Sequence, residues 1–372
     1  MRFQVVLITS ALCGMASFAQ SLDIAGISEK VAEGLKARDA SAAAFGQGNQ
    51  EEGAKLAETS TKLLREARAE YEANGAGESD DPDALMAYAD VLNELGDYDL
   101  AEKSLLRAVS IDPEIASAWF KLGQTEGKLG PRAESRAIRA LRRAAAIEPK
   151  TDITVQANAS LGALYQQSGL FDFAREAYER ALEQDPTHVG SKLAIASLDA
   201  REGKMVKAKA AYDSVEKASS DYAPFITRTL GVALEEFSQS RRWLDDTAES
   251  HLAYAELLVR AGRLPEAYWP LNRSLKLNDQ DYVGWNLMGS ILRSMGQTKG
   301  ARDAFGKSLA LNANQPRTTQ VIAELDKELA ATASAPAPTE GQAPNPPTTP
   351  ESPVQTGASA PSPPPSAPAS GQ

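Results

Sequence analysis

Glycines recur along this 372-residue chain at a spacing that leaves little choice of architecture. Gly96 and Gly130, Gly169 and Gly203, and Gly262 and Gly296 are each 34 residues apart. Gly96, Gly169, Gly203, Gly262 and Gly296 are followed five residues later by Ala101, Ala174, Ala208, Ala267 and Ala301. Each alanine is followed at +4 by a large apolar residue and at +7 by a small or β-branched one: Leu105 and Ala108, Tyr178 and Ala181, Tyr212 and Val215, Leu271 and Ser274, Phe305 and Ser308. Residues spaced in this way share one helical face, and glycine ends the helix before them in a left-handed conformation. A short unit of this kind cannot bury its apolar face alone and has to stack on copies of itself.

The stretch Val155 to Pro186 shows the whole unit. Leu161 and Tyr165 lie on one face of a first helix, Gly162 admits a neighbouring helix, and Gly169 makes the turn. Ala174, Tyr178 and Ala181 form the buried stripe of a second helix, and Pro186 stops it. The pattern resembles the tetratricopeptide repeat, whose period is about 34 residues. That resemblance implies an all-α fold, a right-handed superhelical α-solenoid of helix hairpins lined inside by their first helices, and an interaction role rather than catalysis.

The array is read over residues 82–315, as repeats at about 82–115, 116–149, 155–188, 189–222, 248–281 and 282–315. Trp119, Leu122 and Gly123, and Trp285, Met288 and Gly289, stand at corresponding places of two of them. Gly130 to Ala137 is seven residues instead of five, so Pro131 and Arg132 are an insertion in the turn. Gly203 to Gly262 is 59 residues, 25 more than one period. The excess, 224–247, reads as a degenerate repeat with Leu230, Gly231 and Leu234 on a first helix and a second helix cut short near Trp243.

Residues 20–81 read as a helical capping hairpin, with Ile27, Val31 and Leu35 on one helix and Leu56, Leu63, Leu64 and Ala67 on the other. Asp81 or Asp80 is placed to cap a helix opening at Pro82. Residues 316–330 read as a C-terminal capping helix with Val321, Leu325 and Leu329 turned to the last repeat. Residues 331–372 are rich in proline, alanine, serine and threonine, contain no lysine or arginine, and have Val354 as their one large aliphatic residue. Such a composition buries too little to offset its ordering entropy, so a disordered tail is expected.

Residues 1–19 read as a signal peptide: Arg2, an apolar run from Val5 to Leu12, and Ser17 and Ala19 before a cleavage site. The mature chain would begin at Gln20 in the periplasm or outside the cell. The one cysteine of the sequence, Cys13, lies in this leader. Ser10 and Leu12 fit a lipobox poorly, so lipid anchoring through Cys13 is not expected. No later run is long and apolar enough to span a bilayer. The net charge of −11 disfavours nucleic acid and anionic membranes as partners.

No pattern of residues points to catalysis, a metal or another cofactor. The two histidines, His188 and His251, lack further ligands at helical spacing, and no phosphate loop or nucleophile elbow is present. What remains is the groove. Inward places on each first helix recur at i, i+3, i+7 and i+10 or i+11, which selects Asp83, Met86 and Asp90, then Phe120 and Gln124, Ala163 and Gln167, Ser197, Glu256, and Asn286 and Ser290. The reading is a non-enzymatic protein-interaction scaffold of the bacterial cell envelope that holds a partner segment there, with assembly of an envelope, secretion or pilus complex as one such role. The alternatives are an accessory or structural cell-wall or surface protein using the tail as a spacer, and a non-catalytic subunit of an envelope enzyme.

Overall fold

A computed structural model describes residues 24–334 except 148, 241 and 242. The expected leader, and the tail beyond 334, lie outside the described residues, which hold helices and no strand. The chain begins with two long helices, α1 (Ile24–Gly46) and α2 (Gln50–Ala73). They pack as a hairpin, with Asn49 capping α2 through the Glu52 N–H at 3.4 Å. Ile27, Leu64, Ala67 and Tyr71 are buried, and α2 leads through a 3-10 turn, Ala76–Glu78, onto α3 (Pro82–Leu95). Pro82 opens that helix, and the Asp81 carboxylate accepts the Asp83 N–H at 3.0 Å.

Helix hairpins follow: α3 with α4 (Tyr98–Ile111), α5 (Ala116–Lys128) with α6 (Glu134–Ile147), α7 (Asp152–Gln167) with α8 (Phe171–Gln184), and α9 (Val189–Arg201) with α10 (Met205–Ala218). After a single helix, α11 (Ala223–Gln239), come α12 (Ala248–Arg260) with α13 (Leu264–Leu277) and α14 (Tyr282–Ser294) with α15 (Thr298–Leu311). The last helix, α16 (Pro316–Ser334), packs on α15. From α3 to α10 the second helix of each hairpin packs on the first helix of the next, which makes the molecule a solenoid.

One steric device holds each hairpin shut. A Cβ on Gly162 would stand 2.6 Å from the Tyr178 ring, one on Gly289 2.7 Å from the Phe305 ring, and one on Gly123 2.6 Å from Leu141. In the other hairpins alanine fills the same place, Ala89, Ala196 and Ala255, and faces Leu105, Tyr212 and Leu271; all six are fully buried. The large residue comes 16 positions after the small one, or 18 in the hairpin with the Pro131–Arg132 insertion.

The turns repeat as well. In five hairpins the N–H of the residue after the glycine donates to a carbonyl five residues back, as in Leu170 to Tyr165 at 2.8 Å and Gln297 to Leu292 at 2.9 Å. Each of those glycines has φ between 71° and 84°. Gly130 has φ 83° but is followed by Pro131, which has no N–H to give, and the two extra residues carry the chain to α6 by another route. At +7 on the second helices of the last two hairpins, the Ser274 hydroxyl donates to the Ala248 carbonyl and the Ser308 hydroxyl to that of Tyr282, both at 2.7 Å. Serine thus replaces alanine there without leaving a buried polar group unpaired.

The 25-residue excess is one helix, not a shortened hairpin. First helices α5 and α7 each pack on the preceding first helix and the preceding second helix; here α11 takes the contact with α9 and α12 takes the contact with α10. Glu236 of α11 accepts from Arg201 of α9 at 2.7 Å, while Lys209 and Asp213 of α10 pair with Glu256 and Arg260 of α12 at 3.4 and 2.8 Å. Among the described residues no second helix forms near Trp243, whose side chain is exposed. A Cβ on Gly231 would meet nothing within 4 Å, so this glycine is not a packing notch.

Candidate functional site: the inward row of the first helices

The inward positions are placed by helix phase, and neighbouring first helices bond through them. At the N-terminal end, the Lys121 ammonium donates to both oxygens of Asp90 at 2.6 Å, and Asn93 bonds to the Thr125 hydroxyl at 2.9 Å. The Asp90 charge is therefore answered within the protein. Met86, expected to face a ligand, is 8% exposed, with Ser117 of the next first helix over its sulfur at 3.7 Å. Asp83 is exposed, and Phe120 is half-buried against the core around Leu141 and Leu161.

Gln124, Ala163 and Gln167 are exposed and line one depression of about 360 Å³ between α5 and α7, together with Lys128 and Leu164. Ser197 does not join them. It is 9% exposed, on the helix α9 that α11 packs against, and so is closed to a ligand. Spacing along one helix selects the position but does not say how closely the next helix covers it.

At the C-terminal end Glu256, Asn286 and Ser290 line one cavity of about 700 Å³ between α12, α14 and α16. Burial raises the Glu256 carboxyl above its ordinary pKa, and the Lys209 ammonium at 3.4 Å opposes that shift. Asn286 is fixed by the hydroxyl of Thr318 at 3.1 Å and by Gln315. Val283, Phe305 and Val321 give the cavity apolar walls, and Arg293 and Arg317 stand in its lining. Arg293 pairs with Glu324 at 3.2 Å; the Arg317 guanidinium has no ion pair or hydrogen bond among the described residues.

Sequence reasoning missed the inward stripe of α11. Phe225, Arg228 and Val232 share a face at i, i+3 and i+7, the spacing of the inward positions, on the helix that lies beside α9 as a next first helix would. Phe225 is 52% and Val232 59% exposed. The signal was present in the alternation of these three residues with the buried Ile226, Leu230, Ala233, Leu234 and Phe237. The other missed residues, Lys121, Thr125, Arg317 and Thr318, meet the row only when helices about one period apart are stacked.

The remaining candidates are structural. His188 caps α9, its ring nitrogen accepting the Ser191 N–H at 3.2 Å, and His251 bonds to Asp246 at 2.9 Å. The indole N–H groups of Trp119 and Trp285 donate to the carbonyls of Pro113 and Asp279, both at 2.8 Å and both six residues back. Among the described residues no acid and histidine cluster could hold a metal ion, and no helix is long and apolar enough to cross a membrane.

The tetratricopeptide repeat family matches the sequence over residues 82–125, 155–188 and 283–315, that is α3, α4 and most of α5, then the hairpins α7–α8 and α14–α15. It is a tetratricopeptide repeat protein. The repeats point to a protein-interaction scaffold. No curated protein matches the sequence. Solved structures similar to it include MamA (22% identity, 44% of this chain and 92% of that one, TM-score 0.39). They also include PilW, described as a type IV pilus biogenesis factor (16% identity, 65% and 98%, TM-score 0.36). A third is a tetratricopeptide repeat protein from Parabacteroides merdae (14% identity, 79% and 99%, TM-score 0.34).

Proposed function

We propose that this protein is exported to the bacterial cell envelope and there holds a segment of a partner protein along the inward row, without catalysis of its own. The observation that carries the groove is the exposed pair Phe225 and Val232 in the middle of that row, flanked by the openings at Gln124, Ala163 and Gln167 and at Asn286 and Ser290. Large apolar side chains left in water within a concave surface mark contact sites, and open polar groups around them supply directional bonds. The sequence of residues 1–19 supports export, with assembly of an envelope complex as the setting.

The test is crosslinking and pull-down from the envelope fraction with wild type and with the double variant Phe225→Ser, Val232→Ser. Both side chains are exposed, so the fold should survive, and unchanged circular dichroism checks that. Loss of a specific partner is the expected result. Full retention would refute this contact surface and move the site to the outer faces around Trp243 and Trp269. For location, N-terminal sequencing should find a chain starting near Gln20 in the periplasmic fraction, and an intact Met1 on cytoplasmic protein would refute export.

A further inference from the structure

The cavity between α12, α14 and α16 is unusual for its charge. The protein carries −11 overall, yet the cavity lining holds two arginines and one carboxylate. The carboxylate, Glu256, is answered by Lys209, and Arg293 by Glu324. That leaves the exposed Arg317 guanidinium, with five N–H donors and no acceptor among the described residues, at the edge of walls formed by Val283, Phe305 and Val321. The matching ligand is an extended segment with one carboxylate and one aliphatic side chain close together.

The sequence after α16 contains such a segment. Thirty-eight residues follow Ser334, twelve of them proline, with no lysine or arginine and with Glu340 and Glu351 as their acids. Glu351 and Val354, the one large aliphatic residue there, are three apart in Pro350-Glu351-Ser352-Pro353-Val354. In a polyproline helix, with about 3 residues per turn, they fall on the same side. Glu340 has no large aliphatic residue near it, and slack in the chain also favours Glu351. Arg317 lies about 26 Å back along α16 from Ser334, at 1.5 Å per helical residue. Glu340, six residues on, spans about 19 Å at 3.1 Å per residue, whereas Glu351 spans about 53 Å and can turn back with slack.

We propose that residues 350–354 of the same chain dock in this cavity, Glu351 on Arg317 and Val354 against the apolar wall, so that the tail competes with any partner for the C-terminal end of the inward row. The proposal rests on the groove reading above but fails separately from it: if the tail does not dock and Phe225→Ser, Val232→Ser still loses its partner, only the tail contact is wrong.

Disulfide trapping in the full chain tests it. In a Cys13→Ser background, Ser290→Cys is paired with Val354→Cys, or with Ser370→Cys as a control farther along the tail. The expected result is an intrachain disulfide at 354 and little at 370. Arg317→Glu should reduce the yield roughly tenfold, the scale of losing a charge-assisted pair, and adding Glu351→Arg should restore it. Equal yields at 354 and 370, or a yield at 354 indifferent to both charge changes, would overturn the proposal. So would a disulfide between two chains, which would place the tail of a second copy in the cavity.

Discussion

Gly162→Ala and Gly231→Ala should shift stability in ways that differ by about 1–3 kcal/mol, the usual cost of overpacking a core. Both glycines lie inside helices, so each replacement gains about 1 kcal/mol of helix propensity. At Gly231 nothing lies within 4 Å of the new Cβ, and that gain is the whole effect. At Gly162 the Cβ would sit 2.6 Å from two ring carbons of Tyr178. The ring is 6% exposed and lies in a cluster with Ala174, Ala177 and Ala181 beside it on α8, so it retreats only by disturbing the hairpin. Propensity cancels between the two variants, and the steric term remains. Unfolding midpoints in urea, followed by circular dichroism under identical conditions, give the comparison: Gly231→Ala should rise above wild type and Gly162→Ala should fall below Gly231→Ala by that margin. Placing Gly162→Ala in a Tyr178→Leu background should close most of the gap. Equal upward shifts for both glycines would refute the notch.

Glu126 of α5 is 2% exposed, and burial pushes its carboxyl up to about 7, against the opposing pull of Arg136 at 3.2 Å. A carboxyl that holds its proton more tightly when folded contributes most below its unfolded value near 4.5, and the contribution is lost as pH rises toward 7. Glu126→Gln should therefore flatten the stability profile across that window and raise stability above pH 7 by on the order of 2–3 kcal/mol, read from melts at several pH values. Ala174→Glu puts a carboxylate where the wild-type residue is fully buried, and should cost about 3–5 kcal/mol or abolish folding, read by the same urea titration.

The hairpins were legible in the sequence because two strict needs fall on the same few residues. The turn needs a residue that tolerates positive φ, and the hairpin needs a residue small enough to admit a side chain 16 positions later. Leu230-Gly231 imitates the second need, which is why 224–247 read as a repeat, but position 247 is a threonine and nothing large follows at the required distance. Applied as a pair, glycine with its partner, the rule separates α11 from the true first helices. The inward row was less legible. Its members follow from helix phase, but whether they stay open depends on residues about one period away: Lys121 for Asp90, Ser117 for Met86, and α11 for Ser197. Single-helix spacing contains no information about those neighbours.

A stack of hairpins bends as a spring does, by small slips at every joint between neighbours. The joint between α10 and α12 has a strut that the others lack. Beyond its bond to Arg201, α11 reaches α12 and the turn after it, through the edge-to-face pair Phe237 and Tyr254 with centroids 5.4 Å apart and through Glu235 with Arg263 at 3.2 Å. Flexing that joint has to break these contacts as well as the usual ones, so bending is concentrated in the arms on either side. A long ligand would then meet a stiff waist at α11, with any change of curvature left to the hairpins on either side.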